Sequence, residues 1–259
     1  MSFNQLQKIW DDFLVSLMFL TKIPVSRFRK NQVFPNLTKA QWAFPLVGAL
    51  VGFIVILITN AFNSMGLNAA TSSSIGIVAG LLLLGAFHEN GLANMLDIFT
   101  GELDKEQNVK IMRKNRLATY GTLGLIFYTF LKISLISNLL GTPSCFLLVV
   151  GAYALGRTSM VILRKFSIAA DDKSSGLLFS KAPQSQVILS ILLGAMWLIP
   201  ISFSLVIISA CLILMVTVGL RFLASNRIGG ISNDVLGASV LIGEISLLTL
   251  FNLLFVVES

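Results

Sequence analysis

The densest run of polar residues follows the second long apolar stretch, in the ten-residue segment from His88 to Asp97. On an α-helix, Asn90, Asn94 and Asp97 are four and three residues apart, so their side chains share one face. Three side-chain oxygens in a row suit a magnesium ion that bridges a pyrophosphate, because Mg2+ takes oxygen ligands and shares them with phosphates. A solvated helix face has the same spacing, so spacing alone leaves both interpretations open.

Three ionisable residues, Lys132, Arg157 and Glu244, lie inside apolar stretches of the chain. Charged side chains are costly in hydrocarbon, and those that occur there usually pair with one another or line a cavity. We therefore rank Arg157 and Glu244 as functional candidates. Lys132, which lies midway along its apolar stretch, ranks below them.

The elements that must position these residues belong to a membrane protein. Of the 259 residues, 55% are hydrophobic and 12% charged, whereas about a quarter of the residues of a soluble domain are charged. Apolar runs close to the roughly 20 residues that span a hydrocarbon core recur along the chain. The composition predicts an all-α, polytopic integral membrane protein with about seven transmembrane helices. We place them at 42–62, 70–87, 119–139, 143–163, 186–203, 206–224 and 236–256.

The rest of the chain fits one membrane domain covering residues 1–259. Apolar residues recur at helical spacing between Trp10 and Leu20, which predicts an N-terminal interfacial helix. The charged connections lie at about 22–41, 88–118, 164–185 and 225–235, and the positive-inside rule assigns them to the cytoplasm. The net charge of +7 does not indicate nucleic-acid binding, because no basic stripe interleaves with aromatic residues.

Six segments match, in order, the motifs of one known family. They lie at 19–25, 44–48, 88–97, 111–121, 156–157 and 234–244. The segment 88–97 follows the pattern His-x-Asp-Gly-Leu-Ala-Asp-x-x-Asp, and 44–48 follows Phe-Pro-Leu-x-Gly. On these motifs the chain resembles the cobalamin synthase family, the membrane enzymes also called adenosylcobinamide-GDP ribazoletransferases.

The resemblance implies a defined phosphoryl transfer late in cobalamin biosynthesis. Family members join α-ribazole, or its 5′-phosphate, to adenosylcobinamide-GDP and release GMP, so the resemblance implies these two small-molecule substrates and Mg2+ as cofactor. It also implies a multi-pass protein of the bacterial or archaeal inner membrane with a cytoplasmic active face. The oligomeric state, including a homo-oligomer, stays open.

The resemblance also assigns roles to residues at matching positions. The catalytic candidates are His88, Asp97, Arg116 and Arg157. The substrate-binding candidates are Lys114, Asn115, Asp234 and Glu244. The metal-binding candidates are Glu89, Asn90, Asn94 and Asp97. In this assignment His88 orients or deprotonates the nucleophile, and the planar guanidinium groups of Arg116 and Arg157 hold phosphates. Asp234 and Glu244 either complete the metal site or pair with the arginines.

The chain departs from the family pattern at three of these positions. Asn90 and Asn94 stand where the motif has aspartates, and Lys114 stands where the later motif has one. Two unit charges about 4 Å apart at an effective dielectric near 20 interact by roughly 4 kcal/mol, so the loss of two carboxylates weakens metal binding. Glu89, Glu102 and Asp104 are the candidates to replace the lost carboxylates, and Lys114 could supply positive charge directly to a phosphate.

The sequence therefore leaves three functions open. The first is an active transferase with a rearranged metal site. The second is a catalytically impaired family member that binds corrinoid intermediates or acts as a scaffold. The third is a small-molecule transporter with Arg157 and Glu244 along its pathway, although no pair of matching broken helices indicates inverted repeats.

Overall fold

A computed structural model describes residues 3–25, 37–100, 118–170 and 180–256, and the regular structure in these ranges is helical apart from one isolated β-bridge. The α-helices are α1 (Phe3–Leu20), α2 (Leu37–Ala40), α3 (Phe44–Ser64), α4 (Ala69–Leu84), α5 (Phe87–Thr100), α6 (Thr119–Leu139), α7 (Cys145–Phe166), α8 (Gln184–Ala195), α9 (Phe203–Ile228) and α10 (Asn233–Phe255). Two 3-10 turns, Gln41–Ala43 and Met196–Leu198, join α2 to α3 and extend α8.

Each of the seven predicted spans corresponds to a helix, but fewer of these helices are long enough to cross a bilayer. By length and composition, five segments qualify as spans: α2 with α3, and α6, α7, α9 and α10. The helices α4 and α5 qualify only as a pair, and α8 with its 3-10 turn is shorter than a span. The count in the described ranges is thus five or six rather than about seven, because a hydropathy window averages across bends and breaks.

The second predicted span does not run straight into the polar segment at His88. Gly85 and Ala86 both have left-handed φ angles, of 75° and 59°, and the chain bends by 93° between α4 and α5. The backbone N–H of Lys22 donates a hydrogen bond to the carbonyl of Leu83 at 2.7 Å. A Cβ on Gly85 would lie 2.2 Å from Cε of Lys22, and the left-handed φ angle of Gly85 favours glycine at this bend.

The centre of the bundle is α7, which is buried along nearly its whole length. It packs against α3, α8, α9 and α10, while α5 lies against α6 and α10. The predicted N-terminal helix is present as α1. Its Leu14, Leu17 and Leu20 are buried and its Trp10 is exposed, so its apolar face packs onto α2 and α3.

Several contacts gather the helix ends that the charged connections join. Ala169 forms a parallel β-bridge with Ile231, which ties the end of α7 to the start of α10. The side chain of Gln41 donates a hydrogen bond to the carbonyl of Ser180 at 2.7 Å, and this ties the start of α3 to the segment before α8. The described parts of the charged connections therefore lie together at one end of the bundle.

Candidate functional site

A buried ionic cluster joins three helices. Lys132 on α6 donates to Oε2 of Glu244 on α10 at 2.6 Å, and Arg157 on α7 donates through Nη1 to Oε1 of the same carboxylate. Lys132 is 4% exposed, and Arg157 and Glu244 are fully buried. Each oxygen of the carboxylate thus serves a different cation.

Two tyrosines complete the surroundings of the cations. The hydroxyl of Tyr128 accepts a hydrogen bond from Lys132 at 2.8 Å, and the ring of Tyr153 lies 4.4 Å from the ammonium nitrogen. Nη1 of Arg157 also donates to the backbone carbonyl of Tyr153 at 3.0 Å. A hydroxyl, an aromatic face and a carbonyl therefore replace part of the water that these cations would have outside the membrane.

Glycines make room for the cluster. A Cβ on Gly48 of α3 would lie 2.6 Å from Cδ of Arg157, and a Cβ on Gly156 of α7 would lie 2.8 Å from Cγ of Glu244. Real Cβ atoms do not approach other atoms this closely, so each helix contact depends on the missing side chain. The motif residue Gly156 is thus required by the approach of α10 to α7.

His88 lies in the first turn of α5 and is 1% exposed. Neither of its ring nitrogens has a hydrogen-bond partner among the described residues. Arg157 and Lys132 are close enough to act on it electrostatically, and a Cβ on Gly237 of α10 would lie 3.3 Å from its Cα. A neutral imidazole can accept or donate a proton, so His88 could exchange one with a ligand hydroxyl that reached its unpartnered nitrogens.

Glu89 follows His88 and is only partly buried. Its Oε2 atom has no hydrogen-bond partner among the described residues, and Lys132, Glu244 and Arg157 all act on it electrostatically. Glu89 therefore borders the ionic cluster, and no bond to a cation is described for it.

Asp97 binds the start of the next helix. Its Oδ1 atom accepts the backbone N–H of Gly121 at 2.7 Å, and its Oδ2 atom accepts that of Ala118 at 2.8 Å. A Cβ on Gly121 would lie 2.4 Å from Oδ2, so the approach requires glycine. The carboxylate thus satisfies N–H groups that the first turn of α6 leaves unpaired, and its negative charge favours this helix end.

Asn90 and Asn94, which were predicted to share a helix face with Asp97, have different surroundings. Asn90 is exposed, whereas Asn94 is 5% exposed and its side chain forms a hydrogen bond with Asp234 in the first turn of α10. A Cβ on Gly91 would lie 2.6 Å from the carbonyl oxygen of Asp234. The segment 88–97 and the start of α10 are therefore in direct contact, as a shared ligand site requires.

The described residues offer few ligands for a resident metal ion. No group of three or more His, Cys, Asp or Glu side chains that could hold one occurs within these ranges. Magnesium is often held by only one or two carboxylates, with substrate phosphates and water as the remaining ligands. Both oxygens of Asp97 already accept backbone N–H groups, so Asp97 and the amide oxygen of Asn90 could serve Mg2+ only if the ion arrives with most of its ligands supplied by phosphate and water.

Other predicted site residues are placed as follows. Arg157 pairs with Glu244, which is one of the two arrangements that the sequence left open for Glu244. Lys114, Asn115 and Arg116 lie outside the described residues, so their predicted roles stay predictions.

Sequence reasoning underrated Lys132 and missed its two tyrosines. The available signal was a lysine in the middle of an apolar helix, four residues after Tyr128 and so on the same face. Tyr153 precedes Arg157 by the same interval on α7. The pairing of Lys132 with Glu244 joins residues 112 positions apart and could not be recognised from local spacing.

The chain is similar to known proteins along most of its length. A family model described as cobalamin-5-phosphate synthase matches residues 12–252. A Clostridium botulinum protein named adenosylcobinamide-GDP ribazoletransferase is 28% identical over 249 residues, which cover 94% of this chain and 98% of that protein. Proteins of the same name from Shewanella piezotolerans and Azorhizobium caulinodans are 33% and 29% identical, over 90% and 93% of this chain and 91% and 95% of their own lengths. No solved structure matches the chain significantly.

Proposed function

Because the chain belongs to the cobalamin-5-phosphate synthase family, we propose that it is a membrane transferase acting late in cobalamin biosynthesis. It joins α-ribazole, or its 5′-phosphate, to adenosylcobinamide-GDP and releases GMP. One observation carries the proposal: motif residues far apart in sequence meet around α5. Asn94 bonds to Asp234, His88 lies against Gly237, and Arg157 in the adjoining cluster acts on His88.

The reaction is a phosphoryl transfer. A ribose hydroxyl of the nucleoside attacks the cobinamide-side phosphorus of the pyrophosphate, the bond from that phosphorus to the bridging oxygen breaks, and GMP leaves with that oxygen. Such reactions depend on positioning and on stabilising negative charge. His88 takes the hydroxyl proton, and Arg157 holds phosphate oxygens through N–H groups that have no partner among the described residues.

We also propose that the reaction requires Mg2+, with Asp97 and Asn90 as the protein ligands and the substrate phosphates supplying most of the others. When bound, the ion would neutralise charge on the pyrophosphate. Omitting magnesium from the assay, or adding a chelator, should abolish GMP release.

The active face is proposed to be cytoplasmic, because the described parts of the charged connections lie at one end of the bundle and these connections carry most of the positive charge of the sequence. The triple variant Asn90→Cys, Cys145→Ser, Cys211→Ser has a single cysteine, at an exposed position. Labelling of this cysteine tests on which side of the membrane the site lies. An impermeant maleimide should label it in inverted inner-membrane vesicles and not in intact spheroplasts. The reverse pattern would contradict a cytoplasmic site.

The direct test incubates purified protein with Mg2+, adenosylcobinamide-GDP and α-ribazole and measures GMP and corrinoid product by chromatography. We expect product with the wild-type protein and at least about a hundredfold less with His88→Asn, since general-base catalysis contributes about 10²–10⁴-fold. Thr100→Ala, at an exposed position of the same helix, serves as the matched control and should keep its activity. Absence of product beside an active relative would reject the transferase function.

A second function, corrinoid binding without turnover, is favoured by one observation. Asn94 forms a neutral-to-charged hydrogen bond with Asp234, where the family motif would set two carboxylates side by side. If the missing charges limit turnover, the triple variant Asn90→Asp, Asn94→Asp, Lys114→Asp should convert substrate faster than the wild type. An unchanged or lower rate would count against the charge argument.

A further inference from the structure

The ionic cluster leaves one edge of Arg157 free. Its Nη1 atom bonds to Glu244 and to the carbonyl of Tyr153, whereas Nε and Nη2 have no hydrogen-bond partner among the described residues although they are buried. Arginine and a carboxylate frequently form a bidentate pair with two parallel N–H···O bonds. Here the pair uses a single nitrogen of Arg157.

Lys132 explains why Glu244 forms only one hydrogen bond with Arg157. It binds Oε2 of Glu244 at 2.6 Å, and it is itself held by the hydroxyl of Tyr128 and by the ring of Tyr153. Because Oε2 is engaged by the ammonium group, the carboxylate has only Oε1 left for Arg157. Without Lys132, Glu244 could rotate so that its second oxygen accepts from Nη2 of Arg157, and the Nε and Nη2 edge would then lack one of its two free donors.

The charge balance of the ionic cluster also favours an anionic ligand on Arg157. The ionic cluster consists of two buried cations and one buried anion, so Lys132 and Arg157 share a single bonded counter-charge. Glu89 lies in the field of all three but is only partly buried and forms no described bond with them. Buried charge of this kind is costly unless a partner offsets it. An anionic ligand on the free edge of Arg157 would provide that partner.

We propose that Lys132 is a positioning residue: by holding one oxygen of Glu244, it reserves the Nε and Nη2 edge of Arg157 for an anionic phosphate group of the substrate. This inference rests on the proposed function, because the phosphate is that of adenosylcobinamide-GDP. Lys132 does not contact the substrate in this arrangement, and its effect passes through Glu244 and Arg157.

The test measures binding separately from turnover. Equilibrium binding of adenosylcobinamide-GDP to the detergent-purified protein, without α-ribazole, gives a Kd, and the complete assay gives KM and kcat. Lys132→Met should raise Kd and KM by about 10- to 100-fold, since a hydrogen bond to a charged group is lost from the ligand. The value of kcat should change far less.

The double variant Lys132→Met, Glu244→Gln distinguishes positioning from a structural role. A glutamine has one acceptor oxygen, so it cannot close a bidentate pair with Arg157, and the free edge should return. We expect its Kd to recover to within about threefold of the value for Glu244→Gln alone. A Kd for Lys132→Met equal to that of the wild type, or a double variant no better than Lys132→Met, would overturn the proposal.

If Lys132→Met cannot be purified in folded form, Glu244→Gln is compared directly with the double variant. These two proteins should bind equally, because Lys132 then has no carboxylate oxygen to withhold. A further loss of affinity on removing Lys132 from the Glu244→Gln protein would refute the inference. Wild-type protein that binds substrate but releases no GMP would instead reject the transferase function and leave the positioning role measurable.

Discussion

Replacing Asp97 with alanine separates two roles that this carboxylate could have. The residue was selected from sequence as a metal ligand, yet in the structure both of its oxygens accept backbone N–H groups at the start of α6. The N–H of Gly121 is in a buried residue and that of Ala118 in an exposed one. Alanine would therefore leave one donor unpaired in the interior, while water could reach the other.

The expected loss of stability follows from these surroundings. Leaving the buried N–H of Gly121 without an acceptor costs about 1–3 kcal/mol. Removing a negative charge from the N-terminal end of α6 adds about 0.3–1 kcal/mol. We expect Asp97→Ala to lower the free energy of unfolding by about 1.3–4 kcal/mol, and Asp97→Asn, which retains one acceptor oxygen, by about half as much.

Equilibrium unfolding in mixed detergent and SDS micelles, followed by circular dichroism, measures these differences. Asn90→Ala, an exposed change on the same helix, is the matched control and should stay within about 0.5 kcal/mol of the wild type. An Asp97→Ala protein as stable as the wild type would refute the capping role. Loss of GMP release by Asp97→Asn that exceeds its loss of folded protein would add a role at the metal ion.

Two further predictions concern the helix contacts around the site. Gly48→Ala should destabilise the protein by about 1–3 kcal/mol, because its Cβ would lie 2.3 Å from the carbonyl oxygen of Tyr153. Gly141→Ala is the control, because no atom lies within 4 Å of its Cβ, and it should leave the melting temperature in detergent unchanged. Equal melting temperatures for Gly48→Ala and Gly141→Ala would contradict the packing argument. Asn94→Asp should be less stable than the wild type without magnesium, since it faces the carboxylate of Asp234, and Mg2+ should raise its melting temperature more than that of the wild type. An identical response to Mg2+ would show that the two carboxylates share no ion.

Hydropathy predicted the positions of the helices because burial in lipid leaves a strong local signal. The predicted span at 119–139 coincides with α6, and that at 143–163 lies within three residues of α7 at each end. The 93° bend after α4 was not predicted. Gly85 is a recognisable helix stop, but nothing local indicates that Ala86 also adopts a left-handed conformation or that Lys22 crosses the bend.

The site was predictable where its residues form motifs and not where long-range contacts decide their role. His88 could be selected because it lies in a motif. Arg157 and Glu244 could be selected because they are charged residues in apolar segments. Lys132 was ranked too low because its partner lies on the last helix. Asp97 could not be recognised as a cap for α6, since sequence spacing gives no indication that the start of α6 lies beside this carboxylate.

The location of Glu244 on α10 has a consequence for biogenesis. The helices α6 and α7 enter the membrane with Lys132 and Arg157, and the counter-charge for both arrives only with the last described helix. Insertion of each such cation costs about 2.5–3.5 kcal/mol on translocon-derived scales. A nascent chain that stops short of α10 thus leaves both cations without Glu244 within the bilayer, so these two insertion costs are offset only once the last described helix has entered.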